Sequence, residues 1–239
     1  MSENVWELLG SQVMRARVEH IAPLGHLSVD PLPLHWLNSA RLVGNVVDDL
    51  GAVELRDFYQ KHSRPALIRV WRGEPGYMAP TPGDPDHTLV MVFRPSKPLT
   101  TVAPIAASPV VKWQEDPTDD WLTLWQNAAG WSVPNTHFRA MLSRSTARNA
   151  YGEAVVDGQI VGTVRATIHQ ETGHVGIFHL GVSEEHRGLG IGRSLLTAVT
   201  TAHPADEYYL FVDTDNPTAM GLYERAGFEV AHEYSYLEF

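Results

Sequence analysis

The sequence predicts an α/β (α+β) protein with a larger C-terminal domain and a smaller α+β domain before it. After residue 110, three consecutive strand-like segments are followed by alternating helix and strand patterns, an order typical of α/β domains. Before it, four prolines between residues 95 and 109 predict an extended linker, because proline fixes the backbone and removes a hydrogen-bond donor. We therefore expect domains at 1–95 and 110–239, joined by a linker at 96–109.

The N-terminal 95 residues predict the coarse order helix, two strands, helix, two strands. Apolar residues recur at helical spacing in residues 5–19 and 50–61. Short runs rich in Val, Ile, Leu and aromatic residues predict strands at 66–71 and 88–93. No catalytic residue types gather at a meaningful spacing here, so we expect the chemistry in the C-terminal part.

The C-terminal part predicts an antiparallel meander of three strands that leads into crossover helices. Asp157-Gly158 supplies the positive backbone angles of a two-residue hairpin turn, so the strands on either side of it should pair antiparallel. A second turn, around Gly173, leads into the third strand. In chain order, the predicted strands are 110–113, 149–156, 160–169, 174–182, 208–213 and 228–236, and the predicted helices are 118–127, 135–143, one ending near residue 202, and 217–225.

Composition restricts the partners of the chain. The excess of 28 acidic over 18 basic residues gives a net charge of −10, which argues against nucleic acid as a partner. The absence of cysteine excludes a disulfide, a thiolate metal site and a cysteine nucleophile. No apolar run approaches the roughly 20 residues that span a bilayer, and the N-terminus lacks a signal-peptide pattern. We expect a cytoplasmic protein, a monomer or homodimer, with neither nucleic acid nor membrane as a partner.

A glycine-rich loop, Arg187-Gly-Leu-Gly-Ile-Gly-Arg-Ser194, stands between a predicted strand and a helix. Three glycines in five positions let the backbone approach a bulky ligand, and the helix start leaves N–H groups unpaired. Together with the helix dipole and the charge of Arg187, these donors predict an anion site suited to a diphosphate. A Walker A loop would need a lysine, and a Rossmann fingerprint would need glycine where Leu195 stands. A strand-to-helix turn without a ligand stays open as an alternative.

The same loop matches Arg/Gln-x-x-Gly-x-Gly/Ala, the pyrophosphate signature of the GNAT acetyltransferases. A second segment, from Asp215 to Phe228, resembles that family's Asn-x-x-Ala-x-x-x-Tyr-x-x-x-Gly-Phe motif, with one helix and one strand between the two motifs, as in the family. Residues 110–236 therefore resemble a GNAT domain. The resemblance implies the GNAT fold, a mixed central sheet with splayed parallel strands. It also implies an acetyl-CoA-dependent N-acetyltransferase that moves an acetyl group to a primary amine of a small molecule, an amino acid being one candidate.

The resemblance also assigns site residues. The pantetheine arm of acetyl-CoA would pair with the backbone at Leu180 and Val182, and an amide near Val182 would polarise the thioester carbonyl. Tyr223 matches the family tyrosine that protonates the departing CoA thiolate; a half-buried structural aromatic is the alternative. Asn216 would cap a helix and also contact CoA. The full set expected to bind acetyl-CoA is Leu180, Gly181, Val182, Arg187, Gly188, Leu189, Gly190, Ile191, Gly192, Arg193, Ser194, Asn216, Ala219 and Tyr223.

The sequence identifies the general base less clearly than the acetyl-CoA site. Many members of the family carry Glu on the strand that corresponds to residues 174–182, where this chain has none. His179 is one residue from the expected thioester site, and histidine has a suitable intrinsic pKa, so it is the candidate base; a purely structural histidine is the alternative. Strand alternation predicts that His174 lies on the opposite face. The remaining histidines show no metal-ligand spacing, so we expect no metal. A catalytically silent acetyl-CoA sensor is the main alternative function, and a nucleotide-binding protein is the third.

The N-terminal part offers a possible source for a missing strand. The GNAT domain usually has seven strands, and residues 110–239 predict six. An uncovered edge is avoided in soluble proteins, so we predict that a strand from residues 1–95, or from a second subunit, pairs with the last strand. Residues 52–71 faintly resemble 219–223 and the strand after them, as in tandem GNAT proteins of the actinobacterial, N-acetylglutamate synthase-like type. That similarity implies a degenerate GNAT half; an unrelated α+β cap is the alternative.

Overall fold

A computed structural model of the protein describes residues 5–22, 24–32, 34–42, 49–79, 84–95 and 109–239. Within these ranges the strands form one mixed sheet of eleven strands, with helices on both faces. All but the last residue of the predicted linker at 96–109 lies outside the described residues. None of the described helices is long and apolar enough to cross a membrane.

The N-terminal part contains more strands than its sequence pattern predicts. Its elements are α1 (Val5–Val13), β1 (Val18–Ala22), β2 (Gly25–Val29), a short 3₁₀-helix (Trp36–Asn38), β3 (Ala40–Leu42), α2 (Asp49–Lys61), β4 (Leu67–Trp71) and β5 (His87–Phe93). The helix predicted at 5–19 ends at Val13, because the chain from Val18 pairs with β2 as an edge strand. That strand is mostly exposed, so its side chains lack the alternation that would have distinguished it from a helix.

The C-terminal elements confirm the predicted order. They are β6 (Val110–Gln114), α3 (Asp119–Ala129), α4 (Asn135–Leu142), β7 (Arg148–Val156), β8 (Gln159–His169), β9 (His174–Val182), α5 (Ile191–Ala202), β10 (Glu207–Asp213), α6 (Pro217–Arg225) and β11 (Glu229–Glu238). The predicted hairpin turn has φ of 50° at Asp157 and 81° at Gly158, and β7 and β8 pair antiparallel around it. Local turn chemistry and periodicity were therefore sufficient to locate these elements.

The sheet joins the two parts of the chain. Its order is β1-β2-β3-β4-β11-β5-β10-β9-β8-β7-β6, so β5 lies between β10 and β11 and is antiparallel to both. On its other side β11 pairs with β4. The prediction that an N-terminal strand pairs with the last strand is confirmed, and two such strands do so. Residues 1–95 thus supply an interior strand of the C-terminal sheet.

Two apolar cores lie on opposite faces of the sheet. We call the side covered by α1, α3, α4 and the 3₁₀-helix the α3 face, and the side covered by α5 and α6 the α5 face. Strand alternation divides each strand between them; on β10, for example, Tyr209 belongs to the α3-face core and Tyr208 to the α5-face core. A third, smaller cluster under α2 belongs to the N-terminal strands.

A fragment that begins near Pro104 should be insoluble or aggregate. Without β5, strands β10 and β11 lose their shared neighbour and present unpaired edges. Four buried apolar residues of β5, from Leu89 to Val92, are also lost. At about 1.5–3 kcal/mol each they contribute about 6–12 kcal/mol, which is as large as the stability of a typical domain.

Solubility and size-exclusion chromatography of the fragment test this expectation. Co-expression with residues 1–103 serves as the control and should restore a soluble complex, because it returns β4 and β5. A fragment that is monomeric and cooperatively folded by itself would show that β5 is dispensable.

Candidate active site

Strands β9 and β10 separate at one end of the sheet. They pair in parallel only from His174–Glu207 to Gly176–Tyr209, and no further pairing follows between them among the described residues. The register of β8 with β9 shifts between Thr163 and Arg165, which marks a β-bulge on β9. At this bulge His179 has φ of 51°, and a bulge bends the strand that carries it. We call the space between residues 177–182 and 210–213 the β9–β10 gap.

The glycine-rich loop starts α5 beside this gap. Gly188 and Gly190 have φ of 75° and 79°, a region that favours glycine, and Gly190 is the N-cap of α5 without a side-chain cap. In the described part of the chain, no N–H group of residues 188–192 donates to a backbone acceptor. Arg187 is exposed and donates to the backbone oxygens of Val182 and Ala128, each at 3.3 Å. Among the described residues, the loop therefore carries backbone donors that have no backbone acceptor, and the Arg187 guanidinium lies at its start, beside the end of α3.

Three elements converge where the loop meets the gap. A Cβ on Gly192 would lie 3.0 Å from Cδ2 of Leu222 and 3.6 Å from Cδ2 of Leu180. The start of α5, helix α6 and strand β9 therefore approach each other closely on the α5 face. On the α3 face, a Cβ on Gly181 would lie 3.1 Å from Cβ of Ala128 at the end of α3. A side chain at either glycine would crowd these neighbours, which would have to shift by a few tenths of an ångström.

The second motif forms α6 and its two ends. Asn216 is the N-cap: its Oδ1 accepts the N–H of Ala219 at 3.1 Å, which confirms the predicted capping role. Tyr223 is 8% exposed, and its ring lies 5.9 Å from that of Phe228. The backbone oxygen of Tyr223 accepts the N–H of Phe228 at 3.0 Å, and Gly227, with φ of 91°, allows this turn. Burial raises the pKa of Tyr223 to about 12, so the phenol keeps its proton at every physiological pH.

His179 lies in an aromatic environment. Its ring centroid is 4.6 Å from that of Trp125, 5.3 Å from Phe138 and 6.0 Å from Trp121. Its Nδ1 is buried and has no hydrogen-bond partner among the described residues. Burial, and secondarily the charge of Arg165, lower the pKa of His179 well below its usual range. The ring is therefore neutral near pH 7 and only weakly basic.

The prediction that His174 and His179 lie on opposite faces is wrong. His174 contacts Trp6 of α1 at 6.2 Å between ring centroids, and His179 contacts the aromatic residues of α3 and α4, so both are on the α3 face. The bulge adds one residue to β9 and so reverses the alternation after Phe178. A period-two count cannot detect such an insertion.

Two charged residues near the gap carried no signal in the sequence. Arg165 on β8 is fully buried on the α3 face and donates to the backbone oxygen of Val13 at 3.3 Å, while its Nε and Nη1 have no partner among the described residues. Asp213 ends β10 and accepts a hydrogen bond from the Oγ1 of Thr88 at 2.7 Å. Thr88 belongs to β5, so this pairing depends on the long-range strand order. Strand alternation places Arg165 on the same face of β8 as Thr163 and Thr167, a polar pattern that does not indicate burial.

A groove lies beside the loop, with Arg187 in its lining. It has a volume of about 830 Å³ and runs between α3 and the ends of β6, β7 and β8. Its lining is polar and carries both signs of charge, with Lys112, Glu153, Glu184 and Arg187 among its residues. No group of three or more His, Asp or Glu residues in the described ranges is arranged to hold a metal ion.

Comparisons with known proteins agree with this geometry. Residues 110–228 match the family model described as "Acetyltransferase (GNAT) family". Among solved structures, a "Tandem GNAT protein from the clavulanic acid biosynthesis pathway" is similar with a TM-score of 0.64 and 18% identity, over 89% of this chain and 78% of that one. A GCN5-related N-acetyltransferase from Kribbella flavida has a TM-score of 0.62 and 16% identity, over 93% and 89% of the two chains. A functionally unknown conserved protein from Staphylococcus epidermidis has the same TM-score and identity, over 90% of each chain. At these identities the structures show a shared fold.

Proposed function

The chain belongs to the GNAT acetyltransferase family, and we propose that it is an acetyl-CoA-dependent N-acetyltransferase that acts on a primary amine of a small molecule. The observation that carries this proposal is the β9–β10 gap, beside which the N–H groups of residues 188–192 have no backbone acceptor within the described ranges. We further propose direct transfer in a ternary complex. The absence of cysteine removes the thiol nucleophile that an acyl-enzyme would most readily use.

The loop and the gap fit acetyl-CoA in complementary ways. The N–H groups of the loop and the start of α5 would bind the pyrophosphate, with Arg187 and Arg193 adding positive charge. A Cβ on Gly188 would meet nothing within 4 Å, which is consistent with open space for a ligand on that side. The pantetheine arm would pair with the free edge of β9 at Leu180 and Val182. Asn216 and Ala219, at the start of α6, would lie along its other side; Leu189, Ile191 and Ser194 complete the loop.

The protein's own groups would serve the transfer step as follows. A backbone amide near Val182 would donate to the thioester carbonyl oxygen, on which negative charge develops. Tyr223 would donate its proton to the CoA thiolate as the C–S bond breaks. With a pKa of about 12 it is a weaker acid than free tyrosine, so this transfer needs direct contact with the sulfur. His179 is one candidate base, although burial has lowered its pKa.

A thiol-detection assay with DTNB tests the function. Acetyl-CoA and the full-length protein should release CoA when a suitable member of a panel of primary amines is added, and should not do so without an amine. Mass spectrometry of the same reaction should detect the acetylated amine. No release with any amine, at concentrations where acetyl-CoA binds, would refute the enzyme assignment.

A silent acetyl-CoA-binding sensor is the second candidate. Two observations favour it: β9 has no Glu, and His179 is only weakly basic. Such a module would bind acetyl-CoA and give no turnover in the same assay. Calorimetry beside the DTNB assay therefore separates the two functions.

We also propose that residues 1–95 are a degenerate GNAT half. The similarity to a tandem GNAT protein extends over 89% of this chain, beyond the residues that match the family model. We propose a small-molecule amine as the partner of the protein and the cytoplasm as its location.

A further inference from the structure

An acidic side chain lies at the end of β10, beside the β9–β10 gap. Asp213 follows Phe211 on the α3 face of this strand, and both point away from Val212, which belongs to the α5-face core. Counted from the last β9–β10 pair, Tyr209 and Gly176, four residues lead to Asp213 on β10. On β9, four residues and the one extra residue of the bulge lead from Gly176 to Gly181. Asp213 is thus level with the segment proposed to hold the thioester.

Three adjacent strands fix the position of this carboxylate. Asp213 on β10 is paired with Thr88 on β5, and Thr88 is paired with Tyr234 on β11. The Oγ1 of Thr88 donates to Oδ1 of Asp213 at 2.7 Å, and Thr88 itself is only 3% exposed. One carboxylate oxygen is therefore held by the sheet, while Asp213 as a residue is exposed at the strand end. The second oxygen has no protein donor among the described residues.

Phe211, two residues before Asp213 on the same face of β10, packs among aromatic side chains. Trp36 stacks on Phe211 with ring centroids 5.3 Å apart, and Tyr234 meets Phe211 edge-on at 6.2 Å. Rings of this kind attract a cation over their faces, and they reduce the solvent around a charge that lies between them. Trp36 and Tyr234 are buried, so Phe211 is the partly accessible ring of this group, and a carboxylate two residues from it on the same face suits a primary ammonium group.

The titratable neighbours of Asp213 come from four elements: Asp215 in the following turn, His35 beside the 3₁₀-helix, His87 on β5, and Tyr234 and Tyr236 on β11. Asp215 raises the pKa of Asp213, and the two histidines lower it. The largest effect is desolvation, which raises the pKa, and the hydrogen bond from Thr88 opposes it. The net result is a pKa above the ordinary aspartate value of about 3.9. A base closer to neutrality accepts a proton more readily, so these surroundings increase the basicity of Asp213.

We propose that Asp213, positioned by Thr88, binds the ammonium group of the acceptor and is the general base of the reaction. The proposal rests on the proposed function and names the base and the acceptor chemistry at the same site. It differs from the assignment of His179 in giving the proton to a carboxyl group at an accessible strand end.

The proton balance of the step is as follows. One ammonium proton passes to Asp213, directly or through a water molecule, and then to solvent. The neutral amine attacks the thioester carbonyl, forming the C–N bond and breaking the C–S bond. Tyr223 protonates the thiolate, and the extra proton left on the nitrogen returns to Tyr223. The overall reaction converts an alkylammonium and acetyl-CoA into an amide, CoA and one proton.

The pH profile of kcat/KM for CoA release tests the proposal, with Asp213→Asn as the main variant. Asparagine keeps an oxygen for Thr88 to bond to, so the fold should be retained. The wild type should lose activity as pH falls through the pKa of Asp213, because only the carboxylate accepts a proton. Asp213→Asn should lower kcat/KM by on the order of 10²-fold and abolish this loss of activity at low pH, which we call the acidic limb. The affinity for acetyl-CoA, measured by calorimetry, should be unchanged. Thr88→Val should move the limb to higher pH, because the hydrogen bond that lowers the pKa is lost.

Asp215→Asn is the matched control, since it removes the same charge two residues away. It should keep the acidic limb, shifted slightly to lower pH, with kcat/KM near the wild-type value. An Asp213→Asn enzyme within about threefold of wild type would overturn the proposal, and so would an acidic limb that persists in it. Loss of acetyl-CoA affinity in this variant would also overturn it, because Asp213 would then support the cosubstrate site. A wild type that releases no CoA with any amine would refute the proposed function, and this inference with it.

Discussion

Replacing Gly190 by valine should abolish acetyl-CoA binding while the protein stays folded. Gly190 is the N-cap of α5 with φ of 79°, where a β-branched residue is strained by about 1–2 kcal/mol. A side chain here would also stand in front of the N–H groups proposed to bind the pyrophosphate. If two charge-assisted hydrogen bonds of about 1.5–3 kcal/mol are lost, affinity falls by about 10²–10⁴-fold. Isothermal titration calorimetry measures this directly.

Gly76→Val is the matched control for backbone strain. Gly76 has φ of 86° in an exposed turn after β4, and a Cβ there would meet nothing within 4 Å. The control should lose a similar amount of thermal stability as the Gly190 variant and keep wild-type affinity. The assignment of the loop as the pyrophosphate site would be refuted if Gly190→Val bound acetyl-CoA as tightly as the wild type. It would also be refuted if both variants lost acetyl-CoA affinity to the same extent.

Replacing Tyr223 by phenylalanine should slow the chemical step by about 10²–10⁴-fold, the usual contribution of general acid catalysis. The substitution keeps the ring that packs on Phe228 and removes only the hydroxyl, so the melting temperature should barely change. Because the pKa of Tyr223 is about 12, the wild type should show no loss of activity from this group between pH 7 and about pH 10. Single-turnover kinetics of acetyl transfer separates this step from binding.

Tyr208→Phe is the matched control, because Tyr208 belongs to the same α5-face core as Tyr223. The Tyr208 hydroxyl accepts the N–H of Ala205 at 3.0 Å and donates to the backbone oxygen of His203 at 3.0 Å. Its removal should cost about 1–3 kcal/mol of stability and leave the chemical step unchanged. A Tyr223→Phe rate within about threefold of wild type would return Tyr223 to a structural role.

The fold of the C-terminal part was accessible from local sequence patterns. Strand β9 and helix α6 were predicted at the bounds that the structure shows, because Gly173, Asn216 and Gly227 mark the turns on either side of them. The place of β5 could be anticipated only in outline, from a count of strands. Its insertion between β10 and β11 depends on pairing across more than 100 residues, for which a sequence pattern has no local signal.

For the candidate site too, local sequence patterns predict one part, and the other part depends on long-range contacts. The anion-binding features of residues 187–194 follow from glycine spacing and a helix start, both of which are local. The β-bulge at His179 reversed the face that alternation predicted for it, because one inserted residue changes the parity of a strand. Asp213 and Thr88 meet only through the sheet order, and Arg165 is buried by α1 from the other part of the chain. Contacts of this kind need the three-dimensional structure.

Site-resolved amide hydrogen exchange, measured by NMR with and without acetyl-CoA, tests the central claim most directly. In the described part of the chain the N–H groups of residues 188–192 have no backbone acceptor, so they should exchange rapidly in the free protein. Saturating acetyl-CoA should slow these amides strongly and leave the exposed turn at Gly73 and Gly76 unchanged. Binding of acetyl-CoA without any slowing at residues 188–192 would contradict the proposed site.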